Sequence, residues 1–319
     1  MILYILLFLI SCIVLVKAGS QAIKCLAKIA KHLKWSEFTT AFLLMGFITS
    51  LPELFVGVTS ALHLKPEISL GNVLGSNIIN LTLAIALPVF IAGALRAKTA
   101  LSQRTSIYTV MIGVLPILLM SDGILSRIDG VVLLLILSLY IWNVSQKKDL
   151  FQEDTSHNIK KDFSLNKGLL KSIILFSIFI VLLLLSAEGI VFSSSEIAKS
   201  FGIPLLIIGI VLVALGTNLP ELVFSIKAAS LGHKDMILGN LMGSVIANSS
   251  LVLGVTVLIH PIRIFSFSPY LTSMIFTVVI GLLFLIFIQK DKMISRKESF
   301  VLLFLYLLFI LTQVGLAYF

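Results

Sequence analysis

The sequence predicts an all-α polytopic membrane protein, with ten transmembrane helices in two inverted five-helix repeats. Three observations lead there. The first is composition: the 319 residues are 58% hydrophobic and 12% charged, with a mean hydropathy of +1.11, whereas soluble domains carry about a quarter charged residues. The second is an ungapped internal repeat. Thr49-Ser50-Leu51-Pro52-Glu53 and Gly71-Asn72-Val73-Leu74-Gly75-Ser76-Asn77-Ile78-Ile79-Asn80 recur as Thr217-Asn218-Leu219-Pro220-Glu221 and Gly239-Asn240-Leu241-Met242-Gly243-Ser244-Val245-Ile246-Ala247-Asn248, each position 168 residues on (221 − 53, 244 − 76 and 248 − 80 alike). The third is the distribution of Lys and Arg, which gather on one side of the connections. Five spans in each half place the two copies in opposite orientation, a recurrent plan of secondary transporters with the site near the midplane.

A span needs roughly 20 apolar residues, and the chain accommodates ten with short connections. The first covers residues 2–17. Met1-Ile2-Leu3-Tyr4 lacks the basic region of a signal peptide, so this span is read as retained. Lys24, Lys28, Lys31 and Lys34 follow near helical spacing, as a face that snorkels to the lipid surface. Cys12 and Cys25 would stand about 20 Å apart on one helix, too far for a disulfide. The next spans are residues 37–61, 68–92, 105–121 and 128–144, which close a first repeat over 1–144. Residues 145–168 form the one long polar segment and read as a solvated linker. The second repeat, 169–319, contains spans at 169–198, 203–229, 235–259, 268–288 and 298–318.

Orientation follows from the basic residues. Lys24 to Lys34, Arg96 to Arg104, the linker lysines, Lys227, Lys234 and Lys290 to Lys297 fall on one side, against Lys65, Arg127, Lys199 and Arg263 on the other. The crowded side is cytoplasmic by the positive-inside rule. Both termini then face out and the 145–168 linker lies inside. The same rule accounts for the formal charge of +9 without invoking nucleic acid.

The repeated motif carries the chemistry. Each copy sets an ionisable Glu inside a span, where charge is costly and belongs to a site. A proline precedes each one and denies a hydrogen bond to the carbonyl four residues back, so the helix bends or breaks there. Broken backbone at membrane depth is tolerated where it lines a protein-enclosed cavity. Thr49, Ser50 and Glu53 share one helix face, as do Asn72, Ser76 and Asn80, with Asn240, Ser244 and Asn248 repeating the second stripe. Gly71 and Gly75 draw a smooth stripe that admits close helix contact. Carboxylate, hydroxyl, amide and carbonyl oxygens without His or Cys suit hard cations such as Ca²⁺ or Na⁺.

Other classes fit less well. His32, His63, His157, His233 and His260 read as loop or interface residues, which leaves an intramembrane enzyme without a base or a metal cluster. A channel favours rings contributed by several subunits, whereas two inverted halves in one chain favour alternating access by a monomeric unit. Glu188, alone in Ser186-Ala187-Glu188-Gly189, is either one partner of an interfacial pair or a vestibule group.

At these motifs the chain resembles the sodium/calcium exchangers of the cation/calcium antiporter superfamily, of the prokaryotic type. The resemblance extends over all ten spans. It implies Na⁺ for Ca²⁺ antiport, typically three Na⁺ per Ca²⁺ and hence electrogenic, with no cofactor and with the bilayer and the two ions as the only partners. It also implies a ligand set: the acids Glu53 and Glu221, Thr49 and Thr217, the hydroxyl of Ser50, Ser76 and Ser244, the amides Asn80 and Asn248, and the carbonyls of Gly46 and Ala214. Three departures stand out. Ile48 replaces a Gly, Asn218 occupies the position of a Ser and enters the ligand set as an amide, and Asn248 stands where some relatives have Asp. The amide at 248 favours potassium independence. Proton/calcium antiporters, the nearest alternative, carry an acid after Gly-Asn that is missing here.

Overall fold

The computed structural model describes residues 1–32, 49–97, 100–145, 167–232, 234–265 and 267–318. The first part of the expected second span, residues 37–48, which includes the Gly46 and Ile48 positions, and nearly all of the linker lie outside them. Among the described residues the architecture is helical apart from four two-residue strands: α1 (Ile2–His32), α2 (Leu51–Leu62), α3 (Pro66–Leu81), α4 (Leu83–Ala92), α5 (Ala100–Leu119), α6 (Arg127–Ser145) and α7 (Lys167–Phe201). There follow α8 (Leu205–Ile208), α9 (Ala214–Thr217), α10 (Leu219–Ser230), α11 (Lys234–Ala247), α12 (Leu253–Ile259), α13 (Phe267–Asp291) and α14 (Arg296–Tyr318). Helices dominate because backbone in lipid must satisfy its own hydrogen bonds.

Eight of the described helices are long and apolar enough to cross a membrane. A ninth span is counted when the bent pair Leu205–Thr217 and Leu219–Ser230 is taken together, and Leu51–Leu62 is the described part of the remaining expected one. The first span runs further than expected, through the stretch containing Lys24 and Lys28 to His32. The sixth extends from Lys167 to Phe201, and at 1.5 Å per residue that is about 50 Å, well beyond the roughly 30 Å hydrocarbon core. These two long helices, α1 and α7, pack along each other. Cys12 and Cys25 are both buried on α1 as free thiols.

Burial separates lipid-facing helices from the centre. On α6 the exposed Ile128, Val131, Leu135, Leu139 and Trp142 recur at helical spacing and form a lipid-facing stripe. In α3 every residue except Glu67 is buried. This central helix packs against α2, the segment from α8 to α9, α11 and α13.

Two short antiparallel ladders tie the halves together. Leu95-Arg96 pairs with Met293-Ile294, and Ile124-Leu125 pairs with Ile262-Arg263. Each joins a connection of one repeat to a connection of the other. The 168-residue offset carries Leu95 onto Arg263 and Ile124 onto Lys292, so it maps one ladder onto the other to within about a residue or two. Beside them, spans five and ten open with matching capping boxes. Ser126 N–H donates to Asp129 Oδ2 at 2.7 Å, and Ser295 N–H donates to Glu298 Oε2 at 2.6 Å, which satisfies amides left over at a helix start.

Candidate cation-binding site

Each repeated proline falls inside the first turn of a new helix: Pro52 in α2, after the Thr49-Ser50 turn, and Pro220 in α10, after Asn218. A missing N–H costs nothing there, because the first amides of a helix have no intrahelical acceptor. Between α8–α9 and α10 the axis turns by 42°. Glu53 and Glu221 therefore occupy first turns, where the partial positive end of the helix favours an anion. Both are 1% exposed, and they lie close enough for the charge on one to act on the other.

Among the described residues no base pairs with them. The ion pairs among the described residues are His63 with Glu188 and Lys199 with Glu196, each at 2.7 Å. Both carboxylate oxygens of Glu53 and Oε2 of Glu221 are buried without a hydrogen-bond partner among those residues. Left ionised and unmatched, two such carboxylates would be an uncompensated buried charge, which is expensive. Glu188 is thus one partner of an interfacial pair, on α7, and His63 closes the end of α2.

The neutral oxygens come from both repeats. Thr217 Oγ1 lies beside Glu53 but donates to Asn72 Oδ1 at 2.9 Å, and Ser76 Oγ reaches the same oxygen at 3.4 Å. Thr49 Oγ1 and Ser244 Oγ are hydrogen-bonded at 3.0 Å. Asn218 Nδ2 donates to Ser76 Oγ at 2.5 Å and to the Ala214 carbonyl at 2.7 Å. Ser50 Oγ and both side-chain polar atoms of Asn80 and of Asn248 are buried without partners among the described residues. No group of three or more His, Cys, Asp and Glu occurs among those residues, and the two carboxylates stand amid neutral oxygens. That composition matches hard cations.

Helix irregularities present the amides. After Asn80 the helix breaks at Thr82, with φ −125° and ψ −84°, and at the equivalent place a π-helical turn spans Asn248–Val252. Such one-turn bulges redirect backbone and are frequent at functional sites. A second π turn, Gly209–Val213, lies against α3. A Cβ at Gly71 would meet the Leu206 carbonyl and stand 3.0 Å from Gly209 Cα, while one at Gly75 would meet the Ile210 carbonyl and stand 2.6 Å from Ala214 Cβ. Only glycine lets the two backbones approach so closely, as the sequence spacing predicts.

Of the predicted set, Glu53, Glu221, Thr49, Thr217, Ser50, Asn218, Ser76, Ser244, Asn80, Asn248 and Ala214 are described, and Gly46 is not. The sequence reading passed over Asn77, whose amide donates to Ser249 Oγ inside the π turn at 2.7 Å. Its repeat counterpart is Val245, so comparing the copies hides it, although its place next to Ser76 is a signal. It also passed over Ser225, buried one turn after Glu221 with its hydroxyl unpartnered among the described residues.

Comparison with known proteins agrees in sequence and in shape. The sodium/calcium exchanger protein family model matches residues 3–146 and 171–315. An uncharacterized membrane protein of Methanocaldococcus jannaschii is 31% identical over 302 residues, covering 94% of this chain and 95% of its own. The sodium/calcium exchanger MaX1 of Methanosarcina acetivorans is 27% identical over 340 residues, with 96% and 97% covered. Solved structures of the sodium-calcium exchanger NCX_Mj superpose with a TM-score of 0.67 at 29% identity in 10 mM Na⁺ without Ca²⁺, covering 98% of this chain and 99% of that one. With 10 mM Na⁺ and 10 mM Sr²⁺ the TM-score is 0.65 at 30% identity, with 97% and 98% covered. With matches spanning both halves, the chain belongs to the sodium/calcium exchanger family.

Proposed function

We propose that Glu53 and Glu221 form the shared centre at which this antiporter takes Ca²⁺ and Na⁺ in turn. The protein is a secondary transporter that exchanges Na⁺ for Ca²⁺, as its family does. The observation that carries the site assignment is the pair of buried carboxylates on the first turns of two half-helices, with no basic partner among the described residues. Together they supply two negative charges, which one Ca²⁺ neutralises. Thr49, Thr217, Ser50, Ser76, Ser244, Asn80, Asn248, Asn218 and the carbonyls of Gly46 and Ala214 surround them as the neutral part of the set.

Antiport follows if the loaded centre can open to either side and the unloaded one cannot cross, because two bare carboxylates are costly at membrane depth. Halves 1–144 and 169–319 act as the inverted repeats, with residues 145–168 a cytoplasmic linker, both termini outside and one chain as the transport unit. The distribution of Lys and Arg supports that orientation. Reconstituted protein should move Ca²⁺ against its gradient when Na⁺ alone drives it. Coupling to a proton gradient instead would point to proton/calcium antiport, and a requirement for K⁺ to a potassium-dependent exchanger.

A further inference from the structure

We infer that Asn77 is a positioning residue of the site: through Ser249 it holds the π turn that presents the Asn248 amide to the cation. The inference rests on the exchange reading above, in which Asn248 belongs to the ligand set. Asn77 Nδ2 donates to Ser249 Oγ at 2.7 Å. Ser249 follows Asn248 directly, inside the π turn Asn248–Val252, so a bond that fixes Ser249 fixes the backbone next to the ligand amide. Asn77, Ser249 and Asn248 are all buried. Asn77 Oδ1 has no hydrogen-bond partner among the described residues. A buried amide costs stability when its polar atoms are not all bonded, and an apolar side chain would be cheaper to place there. The bond to Ser249 is what the amide supplies in return.

Comparing the two copies isolates this bond. Both carry a hydroxyl two residues after the ligand Asn that bonds back to the carbonyl four residues earlier: Thr82 Oγ1 to Ile78 O and Ser250 Oγ to Ile246 O, each at 2.5 Å. Back-bonding of this kind bends a helix, and the 168-residue offset maps one pair onto the other. The Asn77–Ser249 bond has no such counterpart. Under the same offset its partners become Val245 and Leu81, both apolar and buried. The outcomes differ accordingly: the first copy breaks at Thr82, whereas the second continues through a π turn into α12. Only that turn is tied across to the other repeat by Asn77. Contacts that orient a metal ligand from outside, as this one would, change metal affinity by about tenfold to a hundredfold when removed.

The test measures Na⁺-driven Ca²⁺ uptake into liposomes over a range of Ca²⁺ concentrations, using the full-length native protein, Asn77→Val, Ser249→Ala, the double variant, and the same substitutions added to Asn248→Ala. Asn77→Val and Ser249→Ala should each raise the KM for Ca²⁺ by about tenfold to a hundredfold, more than they lower the maximal rate. The double variant should match the single ones, and neither substitution should raise KM further once Asn248 is Ala. A role in packing alone would lower the melting temperature and the maximal rate and leave KM unmoved. That result, additive effects of the two substitutions, or an equal shift in the Asn248→Ala background overturns the inference. Should Asn77→Val not fold or Asn248→Ala not transport, the KM of Ser249→Ala decides, and a native value overturns it. Native protein that moves no Ca²⁺ on a Na⁺ gradient contradicts the exchange reading, and a native KM in Asn248→Ala removes that amide from the site. Either result ends the inference through its premise, and the native and Asn248→Ala proteins alone tell it apart from a wrong role for Asn77.

Discussion

Thr217 donates its hydroxyl hydrogen to Asn72 Oδ1 at 2.9 Å, across 145 positions of sequence. The bond joins the break of the second repeat to the central helix of the first, so whatever moves α9 pulls on α3. Asn72→Leu leaves the buried Thr217 hydroxyl without its acceptor, a loss of about 1–3 kcal/mol. A lowered melting temperature in detergent, together with slower Ca²⁺ transport, is expected. An unchanged melting temperature would show that the bond does not hold the two repeats together.

Glu53→Gln and Glu221→Gln should each abolish Ca²⁺ transport while the protein still inserts and folds. An amide of the same shape keeps the packing but removes half of the charge that matches a divalent ion. Folding is checked by size-exclusion chromatography and transport by labelled Ca²⁺ uptake. Native uptake by either variant would remove that residue from the site.

Gly75→Val should destabilise more than an apolar substitution on the lipid-facing stripe. Its Cβ would press on the Ile210 carbonyl and on Ala214 Cβ, 2.6 Å away, and backbone cannot step aside as a flexible side chain does. Overpacking of this kind costs about 1–3 kcal/mol. Leu135→Val on the exposed stripe of α6 is the control, and equal melting temperatures would refute the close contact.

Much of this was legible in the sequence, for physical reasons that differ from element to element. The proline before each Glu, and the Gly71 and Gly75 stripe, announced a break and a close contact because missing donors and missing side chains act locally. Break geometry was less visible: each Pro opens a new half-helix. The irregularities at Thr82 and Asn248–Val252 have no Pro or Gly at the break to betray them. The two-residue ladders escaped notice because pairs such as Ile124-Leu125 are too short for any alternation to register. The Asn218 contacts lay hidden for another reason, since the spacing identified a departure from the repeat but not which oxygens the longer side chain would reach.

Acid should weaken Ca²⁺ binding. Protons and Ca²⁺ compete for the same carboxylate oxygens, and a protonated carboxyl brings no charge to the ion, so affinity falls as pH falls. Interacting acids titrate as a pair, so a midpoint belongs to Glu53 and Glu221 together. Calorimetric titration of detergent-solubilised protein between about pH 5 and pH 8 reads this directly. Affinity constant across the range, in protein shown to remain folded, would separate the two acids from Ca²⁺ binding.

The most direct test of the central claim is Ca²⁺ flux in liposomes in which a Na⁺ gradient is the sole driving force, with K⁺ absent and pH equal on both sides. The native protein is predicted to accumulate labelled Ca²⁺ against its gradient, to stop when the Na⁺ gradient is collapsed, and to lose this activity in Glu53→Gln and Glu221→Gln. Ca²⁺ uptake that persists without a Na⁺ gradient, or that follows an imposed pH gradient instead, would contradict it.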